Sequence, residues 1–502
     1  MAGRASALAA MLAVAACSGS GGATEVAATT PVASTSLPAP ATTVPATASA
    51  PPTTVTTAAP ATTTPTVAID PAAVDADIEL LAALGGAMAA TTEVATLVAH
   101  AGSLWATTSQ WMAPEPVGGA LLRRRSADDP WQVVEQTDQL RVMALQRFTV
   151  PARHTGGDAV DVLVTQTRAD GVSALRWMVG DAEGLAEGFA LPDSPSDARS
   201  LGAHDEGDAF AFYAGVRPTG VLRGEWDAAG RTIVWSAIPE LVVVGDGLDQ
   251  KVTGFASCGG AAWVTVRTSL YRRSDGAVAD GAARWTEVYR DPDDNVDNSG
   301  LRGITCVRRA DGDALLLGRE GPGTMLRFDE LAGDVLAPVV EADIAAVVGA
   351  ALREWGHDVA TTGPGSIGYV IPAYNDLLPI AEGVHLTGVE WSYALGACPS
   401  TRTCQPQRTF DAQACLLRRD DPDGRGEPRW SLRCLAGEAT PAAIVDDPVQ
   451  GGQAFVAVRA LQVAPWAPDQ LWLAGYDANF VPSAGTGWVG HVALVDVLGE
   501  LD

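Results

Sequence analysis

The run Asp291-Pro292-Asp293-Asp294-Asn295-Val296-Asp297-Asn298 gathers more side-chain oxygen than any other short stretch of this chain. Asp291, Asp293, Asn295 and Asp297 fall at alternate positions, the spacing at which a calcium loop offers hard oxygen ligands. Val296 stands where such a loop needs its glycine, and Arg302 stands where a bidentate glutamate belongs. The run therefore reads first as an acidic connection, with calcium as the sole cofactor candidate. The six histidines, His100, His154, His204, His357, His385 and His491, form no His-x-x-x-His or His-Glu pairing, so no metallohydrolase set is visible. Gly363 to Gly368 contains Gly-Pro-Gly with no Lys-Ser/Thr after it, which makes it a loop and not a phosphate cradle.

The elements that must position these groups announce themselves by repetition. An apolar strand ending in Arg, an Asp/Gly-rich turn and a Trp-opened strand recur as LLRRRSADDPWQVVEQ from Leu121, LYRRSDGAVADGAARWTEVYR from Leu270 and LLRRDDPDGRGEPRWSLRC from Leu416. Weaker copies place the strand-ending arginines at Arg123, Arg168, Arg223, Arg272, Arg327 and Arg418, at gaps of 45, 55, 49, 55 and 91. The last gap reads as two periods with one copy unrecognisable near 372. A period near 50 built of strands indicates a radial array, because each unit buries its apolar faces only against its neighbours. Further strands, such as SLWATTS from Ser103 and AFAFYAG from Ala209, bring the content to about four per period, that of a β-propeller blade. The fold expected is all-β, a propeller over 97–502 with seven or eight four-stranded blades, seven favoured. A short helical lead-in is expected over 69–96, with Asp70 as cap, Pro71 in the first turn and Gly85-Gly86 as its stop. A second helix is expected inside the array, where Ile344, Val347, Val348, Leu352 and Trp355 recur at helical spacing.

The turn phrase resembles the Asp-box, Ser-x-Asp-x-Gly-x-x-x-Trp, of sialidase-like propellers and of the related photosystem II stability/assembly-factor propellers. It stands best at Ser126, Asp128 and Trp131 and at Ser274, Asp275, Gly276 and Trp285, with Trp430 opening the matching strand of the Leu416 copy. The box is structural: Ser and Asp bond turn amides, Gly takes positive φ and Trp packs between strands. Activity of the sialidase type would need an arginine cluster, a Tyr–Glu pair and an acid near the central axis. The family's Phe/Tyr-Arg-Ile-Pro motif is absent, and Val216-Arg217-Pro218 is the nearest fragment. Most of the 14 tryptophans keep the phase of the repeat and read as core, while Trp111, Trp226 and Trp466 fall outside it beside Pro or Gly. Those three are candidate exposed contacts for a glycan or protein, with burial the equal alternative.

The N-terminus reads as a targeting segment. Arg4 precedes the apolar run Ala5 to Ala16, too short to span a bilayer of about 30 Å, and Val14-Ala15-Ala16-Cys17 closely resembles a bacterial lipobox. Residues 1–17 are thus expected to be a lipoprotein signal peptide with Cys17 lipidated. Residues 18–68 are Ala, Thr, Pro, Ser, Gly and Val with Glu25 the one charge, a composition expected to form a disordered stalk. Setting Cys17 apart leaves six cysteines, an even number that suits disulfides in an exported chain. Cys415 and Cys434 lie symmetrically about the Gly424-Arg425 turn, Cys398 and Cys404 flank a loop at Pro399, and Cys258 and Cys306 stand one repeat apart. A net charge of −27, with Lys251 the single lysine, makes nucleic acid an unsuitable partner and leaves lipid as the one route to the membrane. The function expected is a non-catalytic binding or assembly module, held at the outer face of the membrane, for an extracytoplasmic protein or glycan. The alternative is a divergent glycoside hydrolase or lyase, which acids converging with arginine or tyrosine at the axial mouth would favour.

Overall fold

The computed structural model describes residues 74–499 apart from 75, 111–116, 183, 187, 193–196, 244–250, 276–283, 293–299, 355, 357, 363–364, 394–413, 423, 425–427, 436–456 and 477–484. Cys17, the 18–68 tract, Trp111, Cys398 and Cys404 lie outside the described residues.

Among the described residues, the strands form seven antiparallel blades around one axis. The innermost strands are Glu93–His100, Leu145–Val150, Asp197–Asp205, Val252–Cys258, Gly300–Arg309, Leu378–Ala381 and Ala457–Ala464. Each blade is sandwiched between two neighbours, so its second strand has no solvent side and loses the alternation of a half-exposed strand. Ser103–Ser109 is buried at every position, and Phe210–Arg217 at all but its last. The outermost strand Gln132–Gln136 faces water instead, whereas that of blade six, Arg429–Cys434, is mostly buried. Seven clusters of buried apolar side chains hold the ring, one at each interface between adjacent blades.

The seventh blade is completed from the other end of the chain. Asp77–Leu80 pairs with Trp488–Ala493 as its outermost strand, in the register Asp77↔His491 to Leu80↔Trp488. The lead-in expected as a helix is therefore a strand, followed by two 3-10 turns, Leu81–Leu84 and Gly86–Ala90. The open edge of Trp488–Ala493 offers these residues a ladder that outweighs their local helical preference. The favoured count of seven blades holds, but the gap of 91 is not two periods and no copy is missing near 372. The gap of 91 is one enlarged blade, because the helix Ile344–Glu354 is inserted ahead of it and its inner strand is split into Ile367–Ile371 and Leu378–Ala381.

Two details of phase differ as well. Arg168 ends the second strand of its blade, Val160–Ala169, whereas Arg123, Arg223, Arg272, Arg327 and Arg418 lie on third strands. Trp226, expected near a turn, is buried at 7% exposure in the cluster between blades two and three. Trp466 does sit in a turn, but its ring packs edge-on against Trp472 and is partly buried. The two described cysteine pairs are bonded. Cys415 and Cys434 face each other across one hairpin with Cα atoms 4.0 Å apart, and Cys258 and Cys306 link blades four and five at 5.3 Å.

Candidate functional site

The seven innermost strands enclose a channel of about 610 Å³. They run in one sense, so one mouth is built where they begin and the other where they end. The starting mouth gathers charge. Glu93 opens the first inner strand and is wholly buried, yet it is ion-paired to Arg459 and to Arg141, the latter at 3.2 Å. Asp197 opens the third and accepts from Arg199 Nε at 3.1 Å. Lys251 immediately precedes the fourth and donates to Glu320 at 3.1 Å, and Glu320 also takes hydrogen bonds from Arg302 and, at 2.6 Å, from the Tyr369 hydroxyl. Tyr374 and Tyr476 both donate to Glu390. The Tyr374 ring lies between two cations, with Arg459 4.8 Å and Arg302 5.1 Å from its centre.

Burial sets the electrostatics here. Desolvation would raise the Glu320 carboxyl, but Arg302, Lys251 and the Tyr369 hydroxyl outweigh it and hold the group well below the carboxylate range. Lys251 is brought down to about 7 by burial, with Arg302 adding to the effect and Glu320 opposing it. Burial and then Glu390 push Tyr374 and Tyr476 well above the usual phenol value, so both remain donors at neutral pH. Asp376 differs from the other acids of this mouth. It lines the channel and is open to it, and desolvation inside the ring raises its carboxyl to about 7. Glu93, Glu320 and Glu390 are occupied by ion pairs and tyrosine hydroxyls beneath the surface. Arg199 and Arg459 reach the channel wall, and Arg459 Nε is buried with no hydrogen-bond partner. A wall of fixed guanidinium donors, with its companion acids already matched, suits an anion.

The residues singled out in sequence are distributed elsewhere. Asp291 is 1% exposed and accepts from Arg319 Nε at 2.5 Å and Nη2 at 2.9 Å, so it is committed to an ion pair and is not an open calcium ligand. Asp293, Asn295 and Asp297 lie outside the described residues, as does Gly276. Cys258, Cys306 and Asp313 approach one another, but the two sulfurs are consumed by their disulfide. Ser126 Oγ accepts from the Asp129 amide at 3.3 Å, Asp128 is exposed, and Trp131 packs against Trp472 of blade seven. The Ser274 amide donates to the Arg284 carbonyl, closing its turn. Asp275 binds side chains, Arg273 at 2.6 Å and His204 at 2.8 Å, where the turn phrase predicts amides. Trp285 and Trp430 share a further partner type. Their indole N–H groups donate to Glu240 and Glu341, each at 3.2 Å, and each of those glutamates comes from the preceding blade and also binds a third-strand arginine, Arg273 or Arg419. Arg273 and Arg419, each one residue after a recurrent arginine, thus fasten one blade to the next, whereas Arg123, Arg223 and Arg327 bond within their own blades.

The charged mouth is hidden in the sequence because its residues lie outside the hairpin phrase that repeats most clearly. Its signal is present in a second register: Glu93, Arg141, Asp197, Lys251 and Arg302 place one charge near the start of each of the first five inner strands, at gaps of 48, 56, 54 and 51. Arg217, from the Val216-Arg217-Pro218 fragment, reaches the same mouth 4.0 Å from Asp197.

No known sequence family matches this chain, and no curated protein sequence does. Solved structures resemble it weakly. A periplasmic gluconolactonase from Pseudomonas aeruginosa is 16% identical with a TM-score of 0.37, over 80% of this chain and 99% of that one. A luciferin-regenerating enzyme is 10% identical with a TM-score of 0.34, over 83% of this chain and 95% of that one. A prolyl endopeptidase is 11% identical with a TM-score of 0.33, over 79% of this chain, and the match spans only 48% of the endopeptidase. At such identities and scores these likenesses carry no argument about chemistry, and the propeller is established by its own strand pairing.

Proposed function

We propose that the starting mouth of the channel binds a carboxylate-bearing extracytoplasmic ligand, an acidic sugar or the acidic side chain of a polymer or protein, and that the chain is a binding module tethered through lipid on Cys17. The observation that carries the reading is a pair of arginines lining the channel from different blades, Arg199 and Arg459, the latter with a buried Nε that has no hydrogen-bond partner. Two disulfides, and the lack of a membrane-spanning helix among the described residues, agree with export. Calorimetry with glucuronate, N-acetylneuraminate and glucose tests the pocket: saturable binding of the acids with none of glucose supports it, and equal or absent binding of all three overturns it. The tether is tested separately. Cys17→Ala should leave the detergent phase, because the lipid chain supplies the membrane affinity.

One observation favours a second reading, a sialidase-like glycoside hydrolase or lyase. Asp376 is a channel-facing acid raised to about 7 by desolvation, two residues along the chain from Tyr374 of the Tyr374–Glu390–Tyr476 group. The tyrosine hydroxyls are turned inward to Glu390 and both rings are buried, which makes them supports for Arg459 more readily than nucleophiles. Release of reducing ends from acidic glycans, abolished by Asp376→Asn, would establish turnover. Binding without release keeps the first reading.

A further inference from the structure

The opposite mouth holds a different set. His204 is the penultimate residue of the third inner strand, and Ser257 is the penultimate residue of the fourth. Adjacent inner strands run in the same sense, so the two side chains meet at the finishing end of the channel. Ser257 Oγ lies 2.7 Å from His204 Nδ1, and Asp275 Oδ2, from the turn after Arg273, lies 2.8 Å from His204 Nε2. The other oxygen of Asp275 accepts from Arg273 at 2.6 Å, and Arg273 is itself fixed by Glu240 at 2.9 Å. The imidazole is buried, whereas Ser257 is exposed and lines the channel. A clamp between blades three and four would need no exposed serine at its end.

We infer that Ser257, His204 and Asp275 form a nucleophile, base and positioning residue for acyl transfer, acting on a short, uncharged carboxylic ester. An anionic carboxylate at Nε2 keeps the ring proton on that nitrogen, so the lone pair of Nδ1 faces the serine hydroxyl. The attacking bond forms between Ser257 Oγ and the ester carbonyl carbon while the hydroxyl proton passes to Nδ1. Collapse of the tetrahedral adduct breaks the bond to the alkoxide, which leaves with that proton. Water then gives a proton to Nδ1, attacks the acyl-serine and releases the carboxylic acid, restoring the hydroxyl. The exposed Gly259-Gly260 turn comes after Ser257 with Cys258 between, and a Cβ built on Gly260 meets nothing within 4 Å, so this turn does not cover the end of the strand. Ala203, Ala256, Phe148 and Pro379 line the same channel, together with the polar Gln146, Arg147 and Gln462, and supply the apolar surface against which a short acyl chain would lie. The relay uses no residue of the charged mouth, so it stands or falls apart from the binding of acids there.

A fluorophosphonate probe and p-nitrophenyl acetate test it on the full folded chain. The expected result is a single label on Ser257 by peptide mapping, with ester turnover reduced to the uncatalysed rate in Ser257→Ala. Asp275→Asn, checked for an unchanged melting curve, should lower kcat by about 100-fold or more and shift the pH profile, as loss of the correct tautomer does. Ester turnover that survives Ser257→Ala, a label placed on another residue, or an inert wild-type protein would each overturn the assignment.

Discussion

The two mouths of one channel are built from the same seven strands and use polar groups in opposite ways. At the starting mouth, Glu93, Glu320 and Glu390 are buried and engaged by cations and tyrosine hydroxyls, so each group is held by several others. At the finishing mouth Arg273 is held by Glu206 and Glu240 as well as by Asp275, and from Asp275 one branch runs out through His204 to an exposed Ser257. Removing a member of the first set strands a charge inside the ring. Removing the end of the second strands nothing, because water replaces the lost partner. Dense mutual pairing fixes a surface and makes it costly to alter, and a branch ending at solvent leaves one atom available for chemistry.

Four experiments break or sharpen this contrast. The largest effect belongs to Glu93→Ala, which leaves Arg459 and Arg141 without their carboxylate and should cost about 3–5 kcal/mol in denaturant unfolding. A loss below about 1 kcal/mol would mean that the starting mouth is not a mutually supporting network. Next comes Arg199→Gln, which removes a charged donor from the wall and should weaken acidic ligands by about 1.5–3 kcal/mol in calorimetry. Unchanged affinity would move the binding site off this wall.

Asp376 supplies a smaller, pH-dependent effect. Its carboxyl sits raised at about 7, so it is neutral at pH 6 and negative at pH 8. An anionic ligand should therefore bind more tightly as pH falls across that window, by up to about tenfold, and Asp376→Asn should flatten the dependence. The sign for stability is the same. A carboxyl raised above its unfolded value of about 3.9 gives its full contribution below that value and loses it as pH rises through about 7. A wild-type profile that is flat between pH 6 and 8 defeats this role. The smallest effect is Ser257→Ala, expected within about 0.5 kcal/mol of wild type in the same unfolding measurement, since the serine is exposed. A loss comparable to that of Glu93→Ala would make the relay a structural clamp.

The propeller was legible because the Trp-opened hairpins at Trp131, Trp285 and Trp430 repeat in sequence, and a repeat constrains every copy at once. Its exact closure was not. Asp77–Leu80 has no strand signature of its own and is extended because a distant edge, Trp488–Ala493, lies open to it. Trp226 was misplaced for a related reason. It occupies a third strand near an Asp and Gly-rich turn, and local composition outweighed its register opposite Ile233. The charged mouth left a trace, one ionic residue in each of the first five repeats, which reads as noise until the inner strands are known. The serine relay left almost none. His204 and Ser257 stand 53 apart, one period, but they are different residue types and so do not register as copies. Asp275 was already accounted for by its turn.

The strand borrowed from the start of the chain has a mechanical consequence. The residues before Asp77 join the ring through a seam of four register pairs, with Glu79 ion-paired to Arg124 of blade one at 2.7 Å and Val74 bonded to Cys434 of blade six at 2.8 Å. A pull arriving along the chain from its N-terminal side is therefore shared among three adjacent blades before it reaches any other. Tension on the leading segment is expected to strip Asp77–Leu80 from the outer edge of blade seven before it disturbs the inner strands and the buried cluster that join blades one and seven.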